Sequence, residues 1–326
     1  MKAKLFVTMA AATMILAGCS NDENEPVDNW NGEIRLSSGV TTQTRANTQA
    51  TQILESETVY AWADKASSTT DYIKAWTLTA GSGNDFTGTS QYYPTDGNSL
   101  DFYALHGNFK ETTFTENTTE FPTTAIVHSV EADQSGTDMK NYAKSDLLYA
   151  VQKGVTRSSN AVQLPFYHIL SKVEVALKSG DGNPNLTGAT VTILGTKLKA
   201  DFTPGKDVTM TEQSDRAGMI AINGSNNDAA PITMRTVTTN NFDTNTEYGE
   251  AVVLPKQTIN AKTAFIQVKL SNNAVFTYKI PDGETLTLES GKKYTYKITV
   301  NQSGLTVTSK IDDWTSEVKT GNAEMD

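Results

Sequence analysis

The feature that most constrains this fold is the alternation of apolar and polar residues in short segments of the second half of the chain. Apolar side chains occupy every second position from Val162 to Phe166 and from Tyr294 to Val300. Similar runs recur at roughly ten-residue intervals with Gly and Asn turns between them, as in antiparallel β-sandwiches. The alternation changes phase between His168 and Ser171, which predicts a bulge that bends a strand without ending it.

Strand-like segments also occur in the first half of the chain, although longer loops separate them. Residues 58–62, 72–78, 100–105 and 144–151 are rich in apolar, aromatic or β-branched side chains, whereas helical periodicity is faint throughout. About 300 residues after an export signal suggest two domains. A polar, small-residue segment at 154–160 marks their boundary. The sequence therefore predicts an all-β chain with domains at 46–156 and 157–326.

Cys19, the only cysteine of the 326 residues, lies at the end of a candidate export signal. Lys2 and Lys4 precede an apolar run that ends at Leu16-Ala17-Gly18, and this run is too short to span a bilayer. Residues 1–19 are therefore predicted to be a lipoprotein signal peptide with Cys19 as the lipidated residue. Residues 20–45 follow as a tether that contains a strand-like segment at 33–37. A single cysteine allows no disulfide within the chain.

Charge and motifs exclude several function classes. The formal net charge of -10 and the pI of about 4.9 disfavour binding to nucleic acid. His106, His128 and His168 lack metal-ligand spacing, and a structural role is predicted for each, with His168 half-buried and bonded to backbone. Residues 181–185 depart from a calcium loop and are predicted to form a plain turn. No catalytic constellation, cofactor fingerprint or metal site is recognised, which predicts that the protein is not an enzyme.

Several short motifs together resemble one known family. They are Leu16-Ala17-Gly18-Cys19, Ile34-Arg35-Leu36, Thr44-Arg45-Ala46, Asp146-Leu147-Leu148-Tyr149-Ala150, the segment from Leu164 to Val173, Gly291-Lys292-Lys293-Tyr294-Thr295-Tyr296 and Ile311-Asp312-Asp313-Trp314. In these motifs the chain is similar to the fimbrillins, the subunits of type V pili, and to their Mfa-like branch. The resemblance spans nearly the whole sequence.

This resemblance implies a polymerising subunit with two transthyretin-like β-sandwich domains in series. Fimbrillins are exported by the lipoprotein machinery as outer-membrane precursors, and an arginine-specific, trypsin-like protease then cuts them at the surface. The cut removes a first strand, and a strand from another pilin subunit fills the groove in the extracellular fimbria. Arg45, flanked by small polar residues, is the predicted cleavage site and Ala46 the new N-terminus, with Arg35 as the next candidate.

The C-terminal segment, approximately Gly304 to Asp326, is the candidate donor strand. It combines strand alternation with a free chain end, and its apolar plugs would be Leu305, Val307 and Ile311. Trp314 would anchor the point where the tail leaves its own domain. The alternative is that this segment completes the second sandwich, because the strand from Tyr294 to Val300 needs a neighbour.

The sequence leaves other functions open. A stalk or a simple tip subunit that serves adhesion, with a possible host surface ligand, is favoured. The alternative from another class is a surface-anchored carbohydrate-binding or adhesive lipoprotein that does not polymerise. In that case Trp30, Trp62 or Trp76 would be exposed for stacking on sugars, although burial is the commoner fate of tryptophan. A surface hydrolase is the third and least supported reading.

Overall fold

The structure is a computed structural model of the chain. It describes residues 30–40, 53–66, 68, 70–222, 229–237 and 247–314, and those from Gly32 onward belong to one compact unit. Nearly all regular structure in these ranges is β-strand, and the two helices described, α1 (Lys140–Ser145) and α2 (Gln213–Gly218), have six residues each. The predicted all-β fold class is confirmed. No helix among the described residues is long and apolar enough to cross a membrane.

The strands follow the alternating segments of the sequence. In chain order they are β1 (Leu36–Val40), β2 (Thr58–Lys65), β3 (Asp71–Ala80), β4 (Phe86–Gly88), β5 (Leu100–His106), β6 (Ile126–Ser129), β7 (Leu148–Val155), β8 (Val162–His168), β9 (Ser171–Ser179), β10 (Thr190–Lys197), β11 (Lys199–Phe202), β12 (Ile220–Ile222), β13 (Ala229–Thr233), β14 (Arg235–Val237), β15 (Glu247–Val253), β16 (Thr258–Ile259), β17 (Ala264–Lys269), β18 (Val275–Lys279), β19 (Leu286–Thr287), β20 (Lys292–Asn301) and β21 (Gly304–Asp313).

The described strands form several sheets. A seven-stranded sheet has the order β1-β8-β7-β5-β2-β3-β4, and a five-stranded sheet has the order β14-β15-β9-β20-β21. A four-stranded sheet, β13-β10-β17-β18, is accompanied by a three-stranded sheet, β12-β11-β6, and a two-stranded sheet, β16-β19. Val175 of β9, Ile193 of β10 and Ile266 of β17 are buried in one continuous core. The five-stranded and four-stranded sheets therefore share an apolar interior, as in a sandwich.

Two hairpins in the second half join alternating runs through turns, as the sequence pattern indicates. β17 pairs antiparallel with β18, and Asn273 in their turn adopts the left-handed backbone conformation (φ 67°) that asparagine tolerates. β20 pairs antiparallel with β21 along its whole length, from Lys292 opposite Asp313 to Asn301 opposite Gly304. The local period of two residues was therefore sufficient to identify these strands.

The prediction that one bent strand continues through the phase change at His168 is wrong. β8 ends at His168 and joins the seven-stranded sheet, whereas β9 begins at Ser171 and joins the five-stranded sheet. Ile169 and Leu170 between them are fully buried. The change of phase moves the chain from one sheet to another, because each sheet buries its own set of side chains.

Pairings also cross residue 156, where the sequence suggested a domain boundary. β8 lies after this position but pairs with β7 and β1, which lie before it. β6 lies before it but pairs with β11. The division into domains at 46–156 and 157–326 stays a prediction.

Candidate functional site

Residues 32–40, which include β1, lie as a central strand between two other parts of the chain, and we call them the closing strand. On one side β1 pairs in parallel with β8, from Leu36 opposite Val162 to Val40 opposite Phe166. On the other side the closing strand bonds to residues 84–93. The bonds on this second side are Ile34 N–H to Gln91 O (2.7 Å), Ser38 N–H to Asn84 O (2.7 Å) and Tyr93 N–H to Gly32 O (2.9 Å).

The closing strand joins the two ends of the seven-stranded sheet. β1 and β4 are the first and last strands in the order of that sheet, and Ser37 forms an antiparallel bridge with Asp85, which directly precedes β4. Glu33 forms a second antiparallel bridge, with Tyr92. The backbone groups of β8 and of residues 84–93 that would otherwise be open edges are thus covered by one short segment.

The side chains of the closing strand alternate between the interior and the surface. Ile34 and Leu36 are each only 3% exposed, and the Ser38 hydroxyl donates to the Asn84 carbonyl at 3.3 Å. Arg35 between them is exposed. Removing the strand would open a groove with two unpaired edges. Each lost backbone bond is worth about 1 kcal/mol and each buried aliphatic side chain about 1.5–3 kcal/mol.

The predicted lipidation and cleavage residues, Cys19, Arg45 and Ala46, lie outside the described residues. Their chain positions still bear on the site, because Arg45 lies between Val40, the last residue of β1, and Ile53, which is buried. A cut after Arg45 would therefore separate the closing strand from everything that follows it. The alternative, Arg35, lies inside the closing strand, where its carbonyl accepts the Val162 N–H at 2.8 Å.

The candidate donor residues lie on β21, at the edge of the five-stranded sheet. Leu305 and Val307 are half-buried and pack against the core, whereas Ile311 is 57% exposed. β21 pairs with β20 at one edge. This is the arrangement given above as the alternative, in which the segment completes its own sheet. Residues 315–326 lie outside the described residues.

Trp314, the last of the described residues, packs against His168. Its ring stacks on His168 with 3.8 Å between ring centroids and 11° between the planes, and the backbone N–H of Trp314 donates to Gly291 O at 2.6 Å. His168 Nδ1 lies 3.1 Å and 2.9 Å from the two carboxylate oxygens of Asp146. The expectation of a half-buried His168 bonded to backbone is wrong, because Trp314 covers the ring and a buried carboxylate binds it.

The other two histidines are buried against backbone groups. His106 lies 3.1 Å from both the Thr58 and the Ala143 carbonyls. His128 Nε2 lies 3.0 Å from Ser145 O, and its Nδ1 accepts the Asn108 N–H at 3.3 Å. Burial lowers the pKa of His128 to about 4, which keeps the ring neutral. Among the described residues no group of three or more His, Cys, Asp and Glu side chains is arranged to hold a metal ion.

The tryptophans considered for sugar stacking are mostly internal. Trp62 is fully buried between the rings of Phe114 and Phe121, and its Nε1–H donates to Thr119 O at 2.9 Å. Trp76 is 4% exposed, and Trp30 is half-buried. Neither Trp62 nor Trp76 presents a ring face to solvent, and this removes the main candidates for a carbohydrate platform.

Comparison with known proteins identifies relatives of this chain. A family model described as fimbrillin-like matches residues 44–314. A protein of Bacteroides uniformis named as fimbrium subunit Fim1C is 25% identical over 339 residues, covering 99% of this chain and all of that protein. Two crystal structures described as cell adhesion proteins share the fold. The one from Bacteroides uniformis has a TM-score of 0.56 at 19% identity, and the one from Bacteroides ovatus has a TM-score of 0.58 at 16% identity.

Each of these alignments to a solved structure covers 87% of this chain and 98% of the other. The family match covers most of the sequence, including β1's neighbours β4 and β8 and the strand β21. The family consists of fimbrial subunits and is not an enzyme family. The chain therefore belongs to the fimbrillin-like family.

Proposed function

We propose that the chain is a pilin of a type V fimbria, made as an outer-membrane lipoprotein precursor and polymerised by strand exchange to serve adhesion. The lipoprotein export machinery would attach lipid at Cys19, and an arginine-specific, trypsin-like protease would cut after Arg45. Mature subunits would then lie in extracellular fimbriae, as stalk or simple tip subunits, bound to other pilin subunits. A host surface ligand is a further expected partner.

The observation that carries this proposal is the position of the closing strand. It is bonded along both edges and its apolar residues are buried, yet it connects to the rest of the chain only through residues 41–52. A cut in that connection would convert an internal strand into a separate peptide held by non-covalent contacts. The vacated groove would present two backbone edges and an apolar floor, which is what β-strand addition requires.

The two edges of the groove would both offer backbone partners to a strand that leaves its own sheet. β21 bonds to β20 at one edge, whereas a strand in the groove bonds to β8 and to residues 84–93. Leu305, Val307 and Ser309 have the same spacing as Ile34, Leu36 and Ser38 of the closing strand. A donor in that register would place two apolar side chains and a hydroxyl where the closing strand has them. Backbone bonds made in the groove, at about 1 kcal/mol each, would offset those that β21 loses on leaving β20.

Arg45→Ala tests the proposal most directly. The variant should be exported and folded but should not polymerise, because the closing strand still occupies the groove. The measurement combines unboiled gel electrophoresis of surface material, in which wild type should give a ladder, with mass spectrometry of the surface N-terminus. Wild type should begin at Ala46 and the variant at lipidated Cys19.

Arg35→Ala is the matched control, because Arg35 is the nearest arginine on the other side of β1 and its carbonyl is already bonded. This control should polymerise normally. If Arg45→Ala still gives a polymer ladder on the gel and Arg35→Ala does not, the cleavage site is Arg35. Ladders from both variants would contradict activation by cleavage at either residue.

A further inference from the structure

Two carboxylates face each other across β2 and β3. The register of these antiparallel strands places Asp64 directly opposite Asp71, and both side chains are only 5% exposed. Like charges at directly opposite positions destabilise a sheet, and burial increases the cost. The pair therefore needs a cation or a shared proton.

Lys206 supplies the cation from a distant part of the chain. It lies between β11 and α2, and its Nζ is 2.9 Å and 2.6 Å from the two oxygens of Asp64 and 2.8 Å from Asp71 Oδ1. The rings of Tyr103 and Phe121 flank the nitrogen, with centroids at 5.2 Å and 5.0 Å. An amine, two carboxyl groups and two aromatic rings are thus assembled at one point.

The segment that carries Lys206 is held on both sides. Tyr149 donates its hydroxyl to Gly205 O at 2.8 Å, and Lys153 forms an ion pair with Asp207. These contacts fix the position of the backbone around Lys206, so its amine stays in hydrogen-bond contact with Asp64. Reacting groups that are held in contact can reach effective concentrations far above those in solution.

The environment also affects the ionisation of Asp64. Burial, together with the hydrogen bond and the charge of Asp71, raises the pKa of Asp64 against the opposing effect of Lys206. Asp71 Oδ2 accepts the backbone N–H of Phe121. The two carboxylates raise the pKa of Lys206, so the ammonium must pass a proton to a carboxylate before its nitrogen can react.

From this geometry we infer that Lys206 and Asp64 become joined by an intramolecular amide bond, with Asp71 as the group that moves the proton. Asp71 accepts a proton from the Lys206 ammonium, and the free Nζ attacks Cγ of Asp64. A carbon–nitrogen bond forms, one carbon–oxygen bond of the Asp64 carboxylate breaks, and the oxygen leaves as water with two protons of the original ammonium, one delivered by Asp71 and one lost by the attacking nitrogen. Ammonium plus carboxylate become amide plus water, and no oxidant or co-reactant is needed.

The bond would join β2 to a segment 142 positions further along the chain. It would withstand denaturant and pulling along the fibre in a chain whose only cysteine allows no internal disulfide. Because Asp64 and Lys206 both lie outside the closing strand and β21, this bond does not depend on strand exchange.

Tryptic peptide mapping of the folded full chain tests the inference. A linked Lys206 resists trypsin, so residues 200–216 should remain uncut and appear joined to residues 46–65. The joined mass should be one water below the sum of the two peptides. Lys206→Arg and Asp71→Asn should each abolish the joined peptide. Lys262→Arg, which alters an exposed ion pair with Asp282, should retain it.

Two controls keep the result clear. Dehydration at an Asp-Gly pair such as Asp96-Gly97 also removes one water, but it joins no peptides, and hydroxylamine cleaves the chain at the succinimide that it forms. If folded wild type yields separate peptides that end at Lys206 and begin at Asp207 after prolonged incubation, the cluster is an ion pair only and the inference is wrong. Since wild type alone decides this outcome, a variant that fails to fold does not obscure it.

Discussion

At the scale of single residues, His128 links the protonation state of the protein to its stability. Its Nδ1 accepts a backbone N–H and its Nε2 lies against a carbonyl, so the neutral ring satisfies both partners. Burial lowers its pKa to about 4 from an ordinary value of 6.5. Between these values the unfolded chain binds a proton that the folded chain does not. Stability contributed by the neutral ring is therefore lost as the pH falls from 6.5 towards 4.

We expect His128→Gln to flatten this part of the pH dependence. The wild-type free energy of unfolding should fall by about 3 kcal/mol more than that of the variant on acidification through this window. Other titrating groups contribute to both proteins and cancel in the difference. Denaturant titrations at pH 7 and pH 4 measure it, and parallel pH profiles for the two proteins would contradict the assignment.

At the scale of elements, β21 is the strand whose removal is most informative. Its outer half is exposed at Ser309 and Ile311, while Trp314 just beyond it is buried against His168. The strand is thus held by its ladder with β20, by Leu305 and Val307, and by the Trp314 stack. A donor taken from this segment must release those contacts and recover more in the groove.

Point variants on the two faces of β21 separate donor function from general strand formation. Leu305→Asp should reduce polymerisation strongly, because a charge in the groove has no partner. Thr306→Asp, one residue away on the opposite and exposed face, should polymerise nearly as wild type. Gel ladders measure assembly and thermal melts check that each monomer is folded. Equal loss in both variants would argue against insertion of this face.

Deletions locate the donor more coarsely. Removing residues 315–326, and in a second chain residues 304–326, should abolish polymerisation while the monomer keeps a cooperative melt. Fibres from either deletion would show that the missing segment is dispensable as a donor. An unfolded monomer from the longer deletion would assign β21 to its own sheet, as its pairing with β20 in the monomer favours.

At the scale of the whole molecule, the sequence predicts strands better than it predicts their neighbours. The period of two residues identifies β9, β20 and β21 because it depends only on the local sequence, although Lys172 and Glu174 at the polar positions of β9 are buried. The parallel pairings of β1 with β8 and of β20 with β9 depend on closing loops of more than a hundred residues, and no local pattern records them. The contact of Asp64 and Asp71 with Lys206 has the same origin. The alternation of the closing strand was visible in the sequence. Nothing in the sequence of residues 84–93 predicted that they would be the second partner of that strand.

Processing should change how the whole molecule responds to concentration. After cleavage at Arg45 the N-terminal fragment should remain bound in concentrated protein and dissociate on dilution. It should also leave when a peptide of residues 304–314 is added in excess. Size-exclusion chromatography of cut protein at two concentrations measures this, and uncut protein is the control. Release of the fragment that does not depend on concentration would contradict reversible binding in the groove.

The position of the closing strand in the same chain as its groove makes the precursor its own inhibitor. While the two are connected, the strand faces the groove at an effective concentration in the millimolar range, which no free subunit reaches at a dilute cell surface. Cleavage after Arg45, as proposed above, would abolish that advantage without changing a single contact. The proposed protease would therefore act on the entropy of a tether, and a folded precursor could be stored at the surface until that tether is cut.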